Sequence, residues 1–447
     1  MSNWTIKELE KWSKKIEKVG KDFGLDFFPI EYEIYSHRDM LNAMAYTGIP
    51  IHYNHWSFGK QFEIQQTYYY YGLTHLPYEM VINSNPSIAY LMKDNSLLSQ
   101  ILVMSHVCGH VDFFKNNTHF KHTRPELVLD MFKQHARRIR TYREDPSIGD
   151  DKVEEWLDAA HSVAMNVGDY QQSKIRDQEE VKAKVKEKYF NDLEEWKLFG
   201  GKKPEEPDWD SKPLTPEPNI LLFIRDNRKD IKDWQKDILT IVDREARYFM
   251  PQLETKISNE GWASYWHYNI VKELNLPQEF HIEFMIMHNK VIVPAVGRIN
   301  PYYLGFRIWN DIEEKHGREE MFIARESFSD IGFLSQYLTK ELIYKLDLFQ
   351  YGEKENKDIV VEEVADKEGW KKVKATLISR IGRHSIPKPM IVDSNLYKGN
   401  ALLLEFDDPY KRDLDDENKI KTLSYIEFLW GRAVYWREGG KITRPTG

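Results

Sequence analysis

The sequence has little cysteine and no long apolar run. Its single cysteine, Cys108, cannot form a disulfide within the chain, which fits a reducing compartment. The longest apolar stretches, such as residues 97–103, end well short of the ~20 residues that span a bilayer. The first ten residues have no apolar core of the kind that a signal peptide needs. We therefore expect a cytoplasmic protein with no membrane span.

An excess of positive charge is also missing. The formal net charge is −8, so the composition predicts no basic surface of the kind that binds nucleic acid. What the chain does have is 447 residues, of which 41% are hydrophobic and 13% aromatic. That composition excludes a disordered chain and predicts two or three folded domains.

Residue periodicity predicts an α+β fold that is mainly helical. The predicted helices are 3–24, 97–114, 126–143, 151–167, 369–383, 419–436 and much of 219–274, and the predicted strands are 30–35, 65–71, 79–83, 358–364, 389–392 and 401–405. Pro86 is predicted to begin a helix, and residues 300–305 are predicted to form a turn. A strand followed by the helix at 97–114 is compatible with a zincin-like layout.

Composition also predicts the domain boundaries. Residues 1–345 are expected to form a zincin-like helical core domain with short strands. A Lys- and Glu-rich and then Pro-rich segment at about 177–218 is expected to be a solvated helix that leads into an extended connector or insertion. Residues 350–447 are expected to form a small C-terminal α+β domain.

Two pairs of polar residues predict a metal site. His106 and His110 are four residues apart, so on a helix both imidazoles lie on one face and can reach one ion. Glu260 and His267 are seven apart and also share a helix face. Two imidazoles and a carboxylate are a familiar ligand set for zinc. We therefore predict these four residues as metal ligands, with zinc as the first candidate and other divalent metals still open.

The general base of a zinc peptidase is missing from this helix. In the peptidase motif His-Glu-x-x-His a glutamate follows the first histidine, and here Val107 holds that position. Hydrolysis would need another proton acceptor, for which Asp112, Glu245 and His267 are candidates, with Tyr265 as a candidate oxyanion donor. If His267 is instead a fourth ligand, the site is structural. The sequence leaves both interpretations open.

Further residues could support such a site. Asp158 and His161 could form a His–carboxylate pair near it, and Arg137 and Arg138 could bind phosphate or carboxylate groups. The competing interpretation of His161 is a core histidine whose hydrogen bonds are satisfied. The competing interpretation of Arg137 and Arg138 is a solvated basic face that pairs with acidic side chains. Gly109 would let either a ligand or a neighbouring helix approach closely.

Several motifs together resemble one protein family. They are His106-Val-Cys-Gly-His-Val-Asp-Phe-Phe-Lys-Asn-Asn117, His135-Ala-Arg-Arg-Ile-Arg140, Leu157-Asp-Ala-Ala-His161, Asn259-Glu-Gly-Trp-Ala-Ser-Tyr-Trp-His267 and Asn300-Pro-Tyr-Tyr-Leu-Gly-Phe306. In this order the chain resembles the SpoVR family, the stage V sporulation protein R of spore-forming bacteria and its relatives. The resemblance runs nearly end to end, and residues 177–218 are treated as a variable insertion. The phrase Asn-Glu-Gly-x-Ala is also similar to the one in which several zinc aminopeptidases carry their glutamate ligand.

The resemblance implies a sporulation protein that is needed to form the spore cortex, a modified peptidoglycan layer. It also implies other sporulation proteins as partners, including a serine-kinase-like protein and a von Willebrand A-like protein. Three functions remain open: a metal-binding regulatory protein, a zinc-dependent hydrolase (peptidase or amidase) with a non-standard base, and a metal-free scaffold. The valine at position 107 and the missing signal peptide favour the regulatory protein.

Overall fold

The computed structural model describes most of the chain. The residues outside the description are 1–3, 72–78, 167–177, 205, 207–212, 295–298, 349, 354–358, 364–368, 398, 407, 409, 411, 413 and 445–447.

Helices make up most of the described part of the chain. Numbered in chain order, they are α1 Ile6–Asp22, α2 His37–Ala45, α3 Trp56–Tyr70, α4 Leu97–Asn116, α5 Val128–Glu144, α6 Asp150–Ser162, α7 Gln178–Phe199, α8 Ile220–Asn227, α9 Asp233–Glu254, α10 Lys256–Glu273, α11 Gln278–Val291, α12 Pro301–His316, α13 Arg318–Ser327, α14 Asp330–Tyr337, α15 Lys340–Lys345, α16 Gly369–Ser379 and α17 Asp416–Trp430. Short 3-10 turns lie at Ala164–Asn166 and Gly382–Ser385.

The strands form three small sheets. They are β1 Ile30–Tyr35, β2 Glu79–Ile82, β3 Ser87–Met92, β4 Gln350–Glu353, β5 Ile359–Glu363, β6 Met390–Leu396, β7 Ala401–Glu405, β8 Val434–Glu438 and β9 Lys441–Thr443. The first sheet has the order β1-β3-β2, with β1 parallel and β2 antiparallel to β3. The second is the antiparallel pair β4-β5, and the third has the order β6-β7-β8-β9. The mainly helical α+β class predicted from periodicity is confirmed.

The chain divides into two compact units, each built from two separate stretches of sequence. Unit 1 contains residues 1–138 and 251–385, and unit 2 contains residues 139–250 and 386–447. This division differs from the predicted boundary near residue 350. Composition reflects only residues that are close together in sequence. In the structure, α16 packs against α14 and α15 of the predicted core domain and so belongs with them.

The core of unit 1 is built around α4 and α10. Both helices are nearly fully buried, and α10 packs against α4 on one side and against α12 on the other. Trp262 and Trp309 meet edge to face there, with ring centroids 4.8 Å apart. Among the described residues α4 alone is long and apolar enough to pass a test for a membrane span, and 89% of its apolar window is buried inside the protein. Burial explains this composition, since a helix that is apolar all round is typical of a protein core.

Three local predictions are wrong. Residues 65–70 belong to helix α3 and not to a strand, because they continue a helix that begins at Trp56. Pro86 follows a cis peptide bond and precedes strand β3 instead of beginning a helix. Residues 301–305 begin α12, since the Asn300 side chain accepts hydrogen bonds from the backbone N–H of Tyr302 and Tyr303.

Other boundaries need smaller corrections. The predicted helix 419–436 ends at Trp430, where Gly431 adopts the left-handed conformation that terminates helices, and strand β8 follows. The predicted helices at 3–24, 97–114 and 126–143 are confirmed as α1, α4 and α5. The connector prediction at 177–218 lies partly outside the described residues, and its first half is the helix α7.

Candidate metal centre

Helix α4 presents the two predicted histidines on one face. Ser96 caps this helix by accepting a hydrogen bond from the backbone N–H of Ser99. The imidazoles of His106 and His110 lie with ring centroids 4.6 Å apart and planes nearly perpendicular. Both residues are buried, with 3% and 7% of their surface exposed. Buried imidazoles need polar partners, so the neighbouring elements decide what this pair can do.

Glycine contacts bring α10 close enough to supply those partners. A Cβ atom at Gly109 would lie only 2.7 Å from the Cα of Ala263, so α4 and α10 touch through their backbones. On the opposite side, Gly261 and Gly305 bring α10 and α12 together in the same way. Of the two predicted roles for Gly109, the structure therefore supports helix packing. This packing sets Glu260 against the two imidazoles.

Two carboxylates face the histidine pair. The Oε2 atom of Glu260 lies 3.6 Å from Nε2 of His106 and 3.4 Å from Nε2 of His110. From β2, Oε1 of Glu79 lies 3.8 Å from Nε2 of His106, and the ligand atoms of Glu79, His106 and His110 all lie within 4.8 Å of one another. Sequence reasoning missed Glu79. The available signal was an acidic residue at the head of an apolar strand, but no spacing rule connects it to α4.

These separations suit coordination better than hydrogen bonding. Hydrogen bonds between nitrogen and oxygen are usually about 2.7–3.2 Å long. Two ligand atoms that share a tetrahedral zinc ion about 2.1 Å from each are about 3.4 Å apart. Among the described residues, Nε2 of His106 and Oε2 of Glu260 are buried and have no hydrogen-bond partner. A divalent cation bound by these atoms would satisfy both, so the donor set fits a metal ion.

Electrostatics at the site also favour a cation. Burial alone would raise the pKa of the Glu260 carboxyl, but the imidazoles of His106 and His110 outweigh it and hold that pKa well below its usual range. Burial raises the pKa of the Glu79 carboxyl, and the same two imidazoles oppose the rise only in part. Burial would lower the pKa of His110, but Glu260 outweighs it and raises that pKa. The pocket thus concentrates negative charge beside two imidazoles that can lose a proton and become neutral.

Hydrogen bonds behind the imidazoles fix their orientation. The Oδ1 atom of Asn259 accepts a hydrogen bond from Nδ1 of His110 over 2.9 Å. Because an amide oxygen can only accept, the proton of neutral His110 sits on Nδ1 and its Nε2 lone pair faces Glu260. His106 has an analogous contact, in which its Nδ1 lies 2.9 Å from Nδ1 of His267. Such outer contacts are usual for histidines that bind metals.

Tyr302 completes the wall of the site. Its ring stacks on His106 with centroids 6.0 Å apart and planes 26° apart. The charge of Glu260, together with burial and the charge of Glu79, holds the pKa of the Tyr302 phenol well above its usual value. The hydroxyl therefore stays protonated and can donate a hydrogen bond. Tyr302 falls within the turn predicted at residues 300–305, so its place at the site was not predicted from the sequence.

Comparison with known proteins assigns the family. A family model described as SpoVR like protein matches residues 3–386. The chain belongs to the SpoVR family. It is 32% identical over 471 residues to the protein named Uncharacterized protein YcgB of Escherichia coli (strain K12), covering 97% of this chain and 92% of that one. No solved structure matches. The resemblance stated from the motifs is confirmed, and membership supports a sporulation-related protein.

His267 lies behind the ligand atoms in this SpoVR-family chain. Its Nδ1 contacts His106 and its Nε2 lies 2.7 Å from Nδ1 of His288 on α11. Both of its ring nitrogens therefore lie at hydrogen-bond distance from other histidines. The sequence could not reveal this, because seven-residue spacing gives the helix face but not the partner across it. Its role as a metal ligand or a base stays a prediction.

Asp112 has a structural position. Its carboxylate accepts hydrogen bonds from the backbone N–H of Asp26 over 2.8 Å and from the indole of Trp262 over 2.9 Å. Burial raises its pKa to about 6, and the nearby guanidinium of Arg325 opposes that rise. These contacts join α4 to α10 and to the segment after α1. Both oxygens of Asp112 accept hydrogen bonds here, and its role as a general base stays a prediction.

The catalytic roles predicted for Tyr265 and Glu245 stay predictions. Tyr265 is on α10, and its hydroxyl is influenced by Glu313 and Arg318; burial raises its pKa above the usual value. Its direction from the helix axis differs by about 140° from that of Glu260, since each residue advances about 100°. Glu245 is buried on α9 within unit 2.

The predicted supporting residues fall into the two units as well. Asp158 and His161 lie on α6 within unit 2 and are partly buried. Arg137 and Arg138 lie on α5, where the first is exposed and the second partly buried. All four have interaction partners within the protein. Their assignment as supporting groups stays a prediction.

Acid is expected to destabilise the protein through His288. Burial, with Arg307 and His106, lowers the pKa of His288 to about 4, against about 6.5 when unfolded. The unfolded chain therefore binds more protons between these values, and stability is lost as the pH falls through that window. The comparison is made in EDTA at pH 7.5 and pH 5. Between these pH values, the loss in the free energy of unfolding is expected to be about 1 to 2 kcal/mol smaller in His288→Gln than in the wild type.

Urea unfolding at both pH values measures this difference. His281→Gln is the matched control, since His281 lies on the same helix α11 and bonds through Nε2 to the carbonyl of Leu276. An unchanged pH dependence in His288→Gln would show that folding does not lower the pKa of His288.

Proposed function

We propose that the chain binds one divalent metal ion through His106, His110 and Glu260, with the Glu79 carboxylate beside them as a fourth donor. One observation carries the proposal: buried Nε2 of His106 and Oε2 of Glu260 face each other at ligand spacing without a hydrogen bond. Leaving such groups unsatisfied would cost about 1–3 kcal/mol each. A cation between them removes that cost.

The donor set favours zinc among divalent ions. Two imidazoles with one or two carboxylates are typical zinc ligands, and the tetrahedral spacing of about 3.4 Å agrees with the separations around Glu260. Imidazole and carboxylate also bind manganese and iron. Zinc is therefore the first candidate, and the ion itself has to be identified by measurement.

We further propose that the metal centre serves a regulatory role in spore cortex formation, in the cytoplasm. Family membership supports the link to sporulation. The net charge of −8 gives no reason to expect a nucleic-acid partner. Other sporulation proteins, including a serine-kinase-like protein and a von Willebrand A-like protein, are the partners through which such a regulator would act.

Elemental analysis of purified protein tests the metal centre. Protein made without metal-affinity purification is expected to carry one divalent ion per chain, and apo-protein is expected to take up one equivalent of Zn²⁺ in a calorimetric titration. Absence of stoichiometric metal together with failure to bind Zn²⁺ would overturn the proposal. That result would favour the metal-free scaffold, in which these polar residues form a buried network.

The position of Glu79 favours a second candidate, a metal-dependent hydrolase. Val107 removes the base that a peptidase helix supplies, but Glu79 brings a carboxyl to the same site from β2. A raised pKa, as burial gives Glu79, suits a general base that works near neutral pH. The protonated phenol of Tyr302 would be the matching hydrogen-bond donor.

The variant Glu79→Gln separates the two functions. Its metal content and folding are measured first, and its ability to restore sporulation is then tested in a strain that lacks its own SpoVR-family protein. Normal metal content with lost complementation would favour chemistry at Glu79. Normal metal content with full complementation would favour regulation, and loss of metal would make Glu79 a required ligand.

A further inference from the structure

Three buried histidines form a continuous line that leads away from the candidate ligand atoms. Nδ1 of His106 lies 2.9 Å from Nδ1 of His267, and Nε2 of His267 lies 2.7 Å from Nδ1 of His288. Only 3%, 0% and 2% of these residues is exposed, in that order. Both separations are hydrogen-bond lengths, and each nitrogen–nitrogen contact requires one donor and one acceptor.

We propose that His267 and His288 are positioning residues that fix the tautomer of His106 and aim its Nε2 lone pair at the metal. This inference rests on the proposed metal centre. It adds two residues that are not themselves metal ligands. It assigns a role to two buried histidines that the ligand set leaves unused.

The direction of the hydrogen bonds follows from coordination at one end. A neutral histidine that binds a cation through Nε2 carries its proton on Nδ1. His106 then donates to Nδ1 of His267, so the proton of His267 must sit on Nε2. His267 in turn donates to Nδ1 of His288, which leaves the proton of His288 on Nε2. Coordination thus specifies all three tautomers in one direction.

The surroundings of the chain hold it in place. His267 sits on α10 two turns after Glu260, so one helix positions both the carboxylate and the first link. His288 is enclosed by the rings of Tyr268, Phe284 and Phe306, with centroids 4.8, 6.0 and 5.1 Å away. Asn259 performs the equivalent task for His110 with a single amide oxygen. Both candidate imidazole ligands are therefore oriented through Nδ1 by residues from outside α4.

Zn²⁺ titration of the full-length protein tests the role of the chain. His267→Phe is expected to weaken Zn²⁺ binding about 10- to 100-fold, as is usual when a group behind a ligand is lost. His267→Gln is expected to recover part of that loss, because its amide can accept from His106 and donate to His288. His281→Phe on α11 serves as the control and is expected to bind like the wild type.

Labelling the histidines with ¹⁵N gives a second readout that needs no variant. In Zn²⁺-bound wild-type protein, His106 is expected as the Nδ1–H tautomer and His267 and His288 as Nε2–H tautomers. The opposite tautomers, or undiminished Zn²⁺ affinity in His267→Phe, would overturn the positioning role while the metal centre stands. Failure of the wild type to bind Zn²⁺ would remove the metal centre itself and this inference with it.

Discussion

Glu260→Gln is expected to lower the affinity of the apo-protein for Zn²⁺ by roughly 1000-fold. Structural zinc sites with four ligands bind with apparent free energies of about 10–16 kcal/mol, so one ligand accounts for about 3–4 kcal/mol. Glu260 contributes more than an average ligand here, because its Oε2 lies within 3.6 Å of both imidazole nitrogens. The amide keeps the shape of the side chain but removes its charge. Competition titration with a zinc-binding dye measures the change.

A glutamate at the far end of the same helix provides the matched control for this experiment. Glu273 ends the same helix α10 and is exposed, so Glu273→Gln changes the net charge equally without touching the site. It is expected to bind Zn²⁺ within about twofold of the wild type, since a distant exposed charge is largely screened. Equal losses in both variants would point to a general effect of charge. Unchanged binding in both would contradict the assignment of Glu260 as a ligand.

The sequence predicts the helix-borne half of the site well. Helical spacing relates His106 to His110 without any knowledge of the fold, because residues four apart always share a face. The phrase around Glu260 then supplies a carboxylate on a second buried helix. The structure brings these three side chains together at the distances that one ion requires.

The remaining site residues depend on contacts that no local pattern encodes. Glu79 reaches the site only because β2 pairs with β3 and lies against α4. Tyr302 reaches it because Asn300 caps a helix where the sequence predicted a turn. Asp112 is a candidate base because its carboxylate is near the histidines in sequence, and its contacts with Trp262 and the Asp26 backbone were not predicted. Each of these outcomes follows from tertiary packing.

The fold shows the same limit of sequence reasoning. Helix α1 follows from its strong periodicity, and short strands such as β1 follow from alternation. The two units could not be predicted in the same way, since each combines segments that are more than a hundred residues apart in sequence. The glycines that allow α4, α10 and α12 to touch were visible in the sequence, but their partners were not.

Gly305→Ala is expected to destabilise the protein by about 3 kcal/mol or more. A Cβ atom at this position would overlap the carbonyl oxygen of Ile257 and lie 2.7 Å from the Cα of Gly261. These are backbone atoms of α10, so they cannot move aside as the end of a flexible side chain could. Overpacking a dense core usually costs about 1–3 kcal/mol, and a backbone clash falls at the upper end of that range or beyond it. Urea unfolding followed by tryptophan fluorescence reports this loss, because Trp262 and Trp309 lie in the same core.

The same substitution at Gly59 separates overpacking from a general effect of replacing glycine. Gly59 lies in helix α3, and nothing lies within 4 Å of where its Cβ would be. Gly59→Ala is therefore expected to leave stability unchanged or raise it by up to about 1 kcal/mol, since alanine favours a helix more than glycine does. Because Gly261 adjoins Glu260, displacement of α10 in Gly305→Ala would also displace Glu260. This variant is therefore expected to bind Zn²⁺ more weakly. A Gly305→Ala protein as stable as the wild type would mean that α10 and α12 do not touch through their backbones, and the route by which Glu260 and Tyr302 reach one site would have to be different.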